Sequence, residues 1–63
     1  MERAEVMIYE VTLTNRDNLR LTLFVYPLIN EQPYDAAERI ANADPEHNRY
    51  APWIAGRCER AAP

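Results

Sequence analysis

The chain has 63 residues and a formal net charge of −3, and 48% of its residues are hydrophobic. This length predicts one small domain, and the composition is typical of a folded protein rather than a disordered one. The single cysteine excludes an internal disulfide and fits a reducing compartment. No apolar run approaches the ~20 residues of a membrane-spanning helix, and residues 1–5 do not resemble a signal peptide. We therefore expect a cytoplasmic protein.

The first predicted element is a β-hairpin within residues 5–27. Apolar and polar residues alternate over residues 6–14 and again over 19–26, which is typical of strands with one buried face. The odd-numbered positions form the apolar side of both strands, namely Met7, Tyr9, Val11 and Leu13 in the first and Leu19, Leu21, Leu23 and Val25 in the second. We expect this side to be buried beneath the rest of the chain.

A three-residue loop, 16–18, joins the two strands in the predicted register. Facing positions must keep matching parity if both apolar sets lie on one side, and a loop of three residues preserves that parity. Asn15 then opens a type I turn, and Asn18 takes the left-handed conformation that asparagine tolerates. A five-residue loop also preserves the parity and is the alternative. The three-residue loop pairs Tyr9 with Val25, Val11 with Leu23 and Leu13 with Leu21.

The even-numbered side of the hairpin changes character along its length. It is polar near the turn and apolar near the open end, where the sequence places Val6, Ile8, Phe24, Tyr26 and Leu28. We expect the C-terminal segment to cover these apolar residues. The alternative is an exposed patch that binds a partner, because monomers seldom leave large apolar patches bare.

A helix is predicted over residues 33–43. Pro33 suits a first helical position, whereas a capping box formed by Asp35 and Glu38 would start the helix two residues later. The helix ends before Asp44-Pro45, because a residue that precedes proline is pushed out of helical geometry. Helical spacing places Tyr34, Ala37, Ile40 and Ala41 toward the hairpin, above Val11, Leu21 and Leu23, and places Asp35, Glu38 and Asn42 on the opposite side.

The C-terminal segment, 44–63, has the least regular pattern. Residues 53–59 fit a third strand, because a two-stranded hairpin is marginal alone and proline is tolerated at a strand start. The alternative is a second helix, which Gly56 would weaken. We therefore expect an α+β fold of order ββαβ, with ββαα as the alternative. In the strand, Ile54 and Cys58 face one side and Trp53 and Arg57 the other, and residues 60–63 fray.

The sequence offers little catalytic chemistry. Cys58 and His47 are the obvious candidates for nucleophilic catalysis, because the chain contains no serine. We interpret Cys58 as a small core residue and His47 as a surface loop residue. Asp44, Glu46 and His47 make a poor zinc site, and the net negative charge argues against direct nucleic-acid binding. We expect neither an enzyme nor a bound metal or cofactor.

An acidic belt surrounds the predicted helix. Residues 31–46 carry Arg39 as their only basic side chain, against five acids: Glu31, Asp35, Glu38, Asp44 and Glu46. Such a surface attracts a basic protein partner by charge complementarity, and the alternative is that the acids only solvate the helix. A second candidate surface contains residue types that dominate interface hot spots, namely Arg49, Tyr50, Trp53 and Arg57.

Size, acidity and the lack of a catalytic motif predict a small non-enzymatic protein-interaction module. The chain lacks lysine and serine and is rich in arginine and alanine, which suggests a bacterial or phage origin. We expect a phage or mobile-element inhibitor that blocks a host nucleic-acid-handling complex through the acidic belt, as anti-CRISPR proteins do. The alternative is a small structural or self-assembling subunit of a larger complex, held through a sheet edge or the apolar patch. Either protein would be a monomer or a homodimer.

Overall fold

Three antiparallel strands and one α-helix are found in residues 7–62, the part of the chain that this computed structural model describes. The elements are β1 (Ile8–Thr14), β2 (Arg20–Val25), α1 (Pro33–Ala43), a 3-10 helix at Asn48–Tyr50, and β3 (Ile54–Ala62). The sheet order is β2-β1-β3, so β1 is the central strand. The predicted α+β fold of order ββαβ is confirmed. Within the described range, no helix is long and apolar enough to cross a membrane.

The hairpin has the predicted register. Tyr9 pairs with Val25, Val11 with Leu23 and Leu13 with Leu21, and Asn18 has a φ of 64° in the left-handed region. Asn15 does more than open the turn: its Oδ1 accepts the N–H groups of Asp17 and Leu19, both at 3.0 Å. Its Nδ2 donates to the carbonyl oxygen of Tyr50 at 3.0 Å. This buried asparagine therefore ties the hairpin loop to the segment that leads into β3.

The helix has the predicted bounds, with Gln32 as N-cap and Pro33 as the first helical residue, so the later start at Asp35 is wrong. Its buried residues are Ala36, Ala37 and Ala41, with Ile40 packed beside them. At 100° per residue this stripe is centred between Ala37 and Ile40, which leaves Tyr34 at its margin and 43% exposed. The prediction that Tyr34 lies on the buried face is therefore wrong.

The helical spacing predicts that Glu38 and Asn42 point away from the fold, and this prediction is wrong. The Glu38 Oε2 accepts the N–H of Ala55 at 2.8 Å. Asn42 accepts the N–H of Trp53 at 2.8 Å through Oδ1 and donates to the Trp53 carbonyl at 3.4 Å through Nδ2. The chain returns alongside the helix at the start of β3, where its backbone groups need partners. Asp35 is exposed, as predicted.

The third strand begins later and ends later than predicted. It pairs with β1, and Val11 faces Cys58 while Leu13 faces Ala55. Thr12 pairs with Arg57 while the next residue, Leu13, pairs with Ala55, so Gly56 is the extra residue of a β-bulge. The bulge inverts the alternation, so Ala55 and Cys58 share the helix side. The sequence-based pairing of Ile54 with Cys58 on one face, and of Trp53 with Arg57 on the other, is therefore wrong. Residues 60–62 belong to β3 and do not fray; residue 63 lies outside the described range.

The core lies between the sheet and the helix. Its buried hydrophobic residues are Val11, Leu13, Val25, Ala36, Ala37, Ala41 and Trp53. Trp53 is 3% exposed, and its indole Nε1 donates to the carbonyl oxygen of His47 at 2.8 Å. Val11 is buried as predicted, whereas Leu21, Leu23 and Ile40 are only half-buried and pack against the edge of this core. Small alanines on α1 allow the helix to lie close to the sheet.

Candidate interaction surfaces

The two candidate nucleophile–base residues lie in separate environments. Cys58 is half-buried on the helix side of β3, opposite Val11. The His47 ring lies in the turn after α1, with Nδ1 2.9 Å from Asp44 Oδ2, and it stands nearly perpendicular to the Trp53 ring with centroids 6.3 Å apart. Over residues 7–62, no group of three or more histidine, cysteine, aspartate or glutamate side chains is placed to hold a metal.

An open cleft of about 520 Å³ lies where the ends of the hairpin meet the start of the helix. It is lined by Met7, Tyr9, Tyr26, Pro27, Glu31, Gln32 and Pro33. Glu31 supplies the carboxylate of this lining, and both of its oxygens already bind other groups of the chain. Its Oε2 is 3.0 Å from Arg39 Nε, and its Oε1 accepts the N–H of Leu28 at 2.9 Å. The cleft therefore offers shape and apolar surface rather than acid–base chemistry.

The contacts of Glu31 are structural. The Leu28 carbonyl accepts the Glu31 N–H at 3.0 Å, so the backbone and the side chain of Glu31 together close the turn before α1. The side chain of Arg39 donates to both carboxylate oxygens. The hydrogen bond from Arg39, followed by the one from the Leu28 N–H, lowers the pKa of Glu31 below its ordinary value. The same ion pair raises the pKa of Arg39.

Asp44 is used in the same manner at the other end of the helix. Its Oδ1 accepts the N–H of Glu46 at 2.9 Å, and its Oδ2 is 2.9 Å from His47 Nδ1. The Glu46 N–H, and then the His47 side chain, lower the pKa of Asp44. With Glu38 bonded to Ala55, three of the five acids of the acidic belt serve internal contacts. The carboxylates of Asp35 and Glu46 make no hydrogen bond or ion pair with any other residue between 7 and 62.

The four residues of the second candidate surface do not lie together. The Arg49 guanidinium lies over the Tyr50 ring, 5.1 Å from its centroid, and Tyr50 is 41% exposed. Trp53 is in the core. Arg57 lies on the far side of the sheet, where it pairs with Glu59. The structure therefore brings Arg49 and Tyr50 together and separates them from the other two.

The side of the sheet that faces away from α1 is uncovered, and we call it the open face. The strand pairing and the bulge place ten residues there: Ile8, Glu10, Thr12 and Thr14 from β1, Arg20, Thr22 and Phe24 from β2, and Ile54, Arg57 and Glu59 from β3. Phe24 is 63% exposed and Ile54 is 58% exposed. The C-terminal segment extends the sheet beside β1 and does not cover this face. The expected cover is therefore wrong, and Val6 lies outside the described residues.

The charges of the open face form one unfavourable pair and one ion pair within a single chain. Glu10 and Glu59 lie directly opposite each other on neighbouring strands, an arrangement that destabilises a sheet. The Nη2 of Arg57 lies 2.6 Å from Glu59 Oε2. No side chain within residues 7–62 makes a hydrogen bond or an ion pair with the Glu10 carboxylate. A shallow recess of about 150 Å³, lined by Glu10, Thr12, Arg57 and Glu59, lies between these charges.

No protein-family model, curated protein or solved structure matches the chain. The surfaces described above are thus the basis for assigning a function.

Proposed function

We propose that the chain is a small protein-interaction module without catalytic activity of its own, and that it binds through the open face. The observation that carries this proposal is the row formed by Phe24, Glu10 and Glu59 across the three strands. A largely exposed aromatic ring lies there beside two opposed carboxylates. A protein partner would cover the ring and bring positive charge to the carboxylates.

The composition of the open face differs from that of a face that only meets water. Antiparallel sheets commonly leave one side in solvent, and that side is then polar along each strand. The threonines and Arg20 follow this rule, whereas Phe24 and Ile54 break it. Exposed apolar area costs about 25 cal/mol per Å² relative to burial, and the opposed glutamates add repulsion. Binding to a partner relieves both costs.

A photo-reactive benzoylphenylalanine at single positions tests this proposal. We expect replacement of Phe24 to give a covalent adduct with a protein, with a second copy in the purified sample or with another protein in bacterial cells. Replacement of Arg16, an exposed residue of the hairpin loop, serves as the control and should give none. The proposal would be overturned if position 24 formed an adduct neither in the purified sample nor in cells.

A second candidate is the inhibitor predicted from the composition, which would bind the basic surface of a host nucleic-acid-handling complex. The observation that favours it is that Asp35 and Glu46 remain available after the other acids of the belt are used internally. The probe at position 35 distinguishes the two candidates, because this surface lies on the helix and not on the open face. Adducts from position 35 and none from position 24 would favour the inhibitor. Its affinity should then weaken in the Asp35→Asn, Glu46→Gln double variant and fall with ionic strength.

A further inference from the structure

We propose that the partner on the open face is a second copy of this chain. The two copies are related by a two-fold axis that lies between the two sheets, runs across the strands and passes between Arg57 and Glu59. This inference rests on the proposed function, since it requires the open face to be the binding surface. It deepens that function by naming the occupant as the chain itself.

The charges of the open face are segregated along the strand direction. Arg20 lies at the end near the hairpin loop, and Arg57 lies in the next row, opposite Thr12. Glu10 and Glu59 follow one row further from the loop. The face thus carries two positive and two negative side chains, with the signs divided between its halves. A surface of this kind is complementary to a copy of itself turned end for end.

A two-fold axis in the interface that runs along the strands and one that runs across them bring these charges together differently. An axis along the strands places each row over the same row of the second copy, so four carboxylates from Glu10 and Glu59 would meet. An axis across the strands reverses the strand direction and keeps each strand over its own counterpart. It places Arg57 over Glu59 of the second copy, and Glu59 over Arg57 of the second copy. Each Glu59, which is already paired with Arg57 of its own chain, then also receives Arg57 of the other chain, whereas Glu10 lies over Thr12 of the other chain and not over a carboxylate.

The same axis also covers the exposed ring of Phe24. Phe24 lies one row from Thr22 on β2, so the ring of each copy packs on the threonine methyl of the other. Three strands about 4.8 Å apart and about seven residues long cover roughly 340 Å². That area is below the ~800 Å² per partner of a standard interface. The dimer is accordingly weak, dependent on concentration and sensitive to salt.

Charge-reversal variants test the axis directly. Arg57→Glu places only acids, and Glu59→Arg places only arginines, at these two positions of both copies, so each variant alone should remain a monomer of 7.3 kDa. Mixing the two variants restores opposite charges at both contacts, and the mixture should associate again. Wild-type mass should rise toward twice the monomer mass between about 20 µM and about 1 mM in sedimentation equilibrium. Arg16→Glu, a reversal in the hairpin loop, should associate like wild type.

Each outcome decides the inference. The buried Trp53 is the only tryptophan of the chain, so its emission shows whether every variant is folded. Association of the mixture, but of neither folded variant alone, supports the second copy and the axis. A wild-type mass that stays at that of the monomer, or a mixture that does not associate, overturns them. If the position 24 adduct then contains a different protein, the proposed function stands and only the second copy is rejected.

Discussion

The side-chain amide of Asn42 binds both backbone polar groups of Trp53. Its Oδ1 accepts the Trp53 N–H at 2.8 Å, and its Nδ2 donates to the Trp53 carbonyl at 3.4 Å. The Trp53 indole, in turn, donates to His47. The last turn of α1 therefore fixes the residue that both fills the core and starts the return to the sheet.

Asn42→Ala should destabilise the protein by ~1–3 kcal/mol, because the Trp53 N–H and carbonyl lose their partner beside a buried side chain. The free energy of unfolding from urea denaturation, followed by Trp53 emission, measures this effect. Asn48→Ala is the matched control: Asn48 is exposed, and its side chain makes no hydrogen bond with another residue in 7–62. Its effect should stay within ~0.5 kcal/mol. Equal effects of the two substitutions would show that Asn42 does not hold Trp53.

Leu13→Ala should cost more stability than Leu23→Ala, although both leucines lie on the apolar side of the hairpin. Leu13 is fully buried, whereas Leu23 is half-buried at the edge of the core. Truncation of a fully buried leucine costs ~2–5 kcal/mol, which is enough to unfold many domains of this size. Thermal melting of both variants compares them. A higher Tm for Leu13→Ala than for Leu23→Ala would contradict the burial of Leu13.

The hairpin and helix could be predicted because their signals are local. The parity of the two apolar sets restricts the hairpin to registers with odd-length loops, and Asn15 and Asn18 suit the turn that gives the observed register. Pro33 together with Asp44-Pro45 marks both ends of the helix. The C-terminal segment carries weaker signals, because β3 pairs with β1, a strand that is distant from it in the sequence. The bulge at Gly56 places Ile54 and Arg57 on the same side of the sheet. An isolated glycine within a strand is typical of a bulge, but a strict alternation over residues 53–59 takes no account of it.

The candidate site was harder to predict for the same reason. Glu38 and Asn42 look like solvent-facing helix residues until the segment that starts β3 returns beside them. The opposition of Glu10 and Glu59 exists only in the paired sheet. The even-numbered apolar residues of the hairpin were a usable signal, and they pointed to the open face as one of two alternatives. These residues are exposed because β3 extends the sheet beside β1 and does not cover this face.

Acid should destabilise the protein partly through Glu31. Its pKa is lowered by the hydrogen bond from Arg39 and by the one from the Leu28 N–H. A carboxylate with a depressed folded pKa contributes stability that is fully present above its unfolded pKa of about 4.3, and this stability is lost as the pH falls through the folded pKa. Glu31→Gln removes this titration, so the Tm of the variant should fall less than that of wild type between about pH 5 and about pH 3.

The control for the acid experiment is Glu46→Gln. This substitution removes one carboxylate of the same type, but that carboxylate makes no hydrogen bond or ion pair with the rest of residues 7–62. Its Tm should follow the wild-type curve with pH. If Glu31→Gln and wild type lose the same number of degrees between the two pH values, Glu31 does not contribute to the acid sensitivity.

Asn18→Gly should leave the stability unchanged or raise it, whereas Asn18→Ala should lower it by ~1–2 kcal/mol. The φ of Asn18 is 64°, a region where the Cβ of ordinary residues meets the following carbonyl oxygen and glycine does not. Asn30 has a φ of 66° and offers the same comparison in the turn before α1. Stability of each pair of variants is measured by urea denaturation. Equal stabilities of the glycine and alanine variants at position 18 would contradict the left-handed loop residue.

The acids of the belt should separate into two classes when each is replaced by alanine. Glu38→Ala should cost ~1–3 kcal/mol, because the Ala55 N–H loses the carboxylate that accepts it at 2.8 Å. Glu46→Ala leaves its own N–H bonded to Asp44 and should change the stability by no more than ~0.5 kcal/mol. Glu31→Ala and Asp44→Ala should each destabilise the turns that their carboxylates close. Urea denaturation compares the stabilities of these variants. Asp35→Ala is a second exposed position. There the loss of a favourable helix-dipole interaction is roughly offset by the helix propensity of alanine. If all five substitutions left the stability unchanged, the belt would be a uniformly solvated surface, and its internal contacts would contribute nothing to the fold.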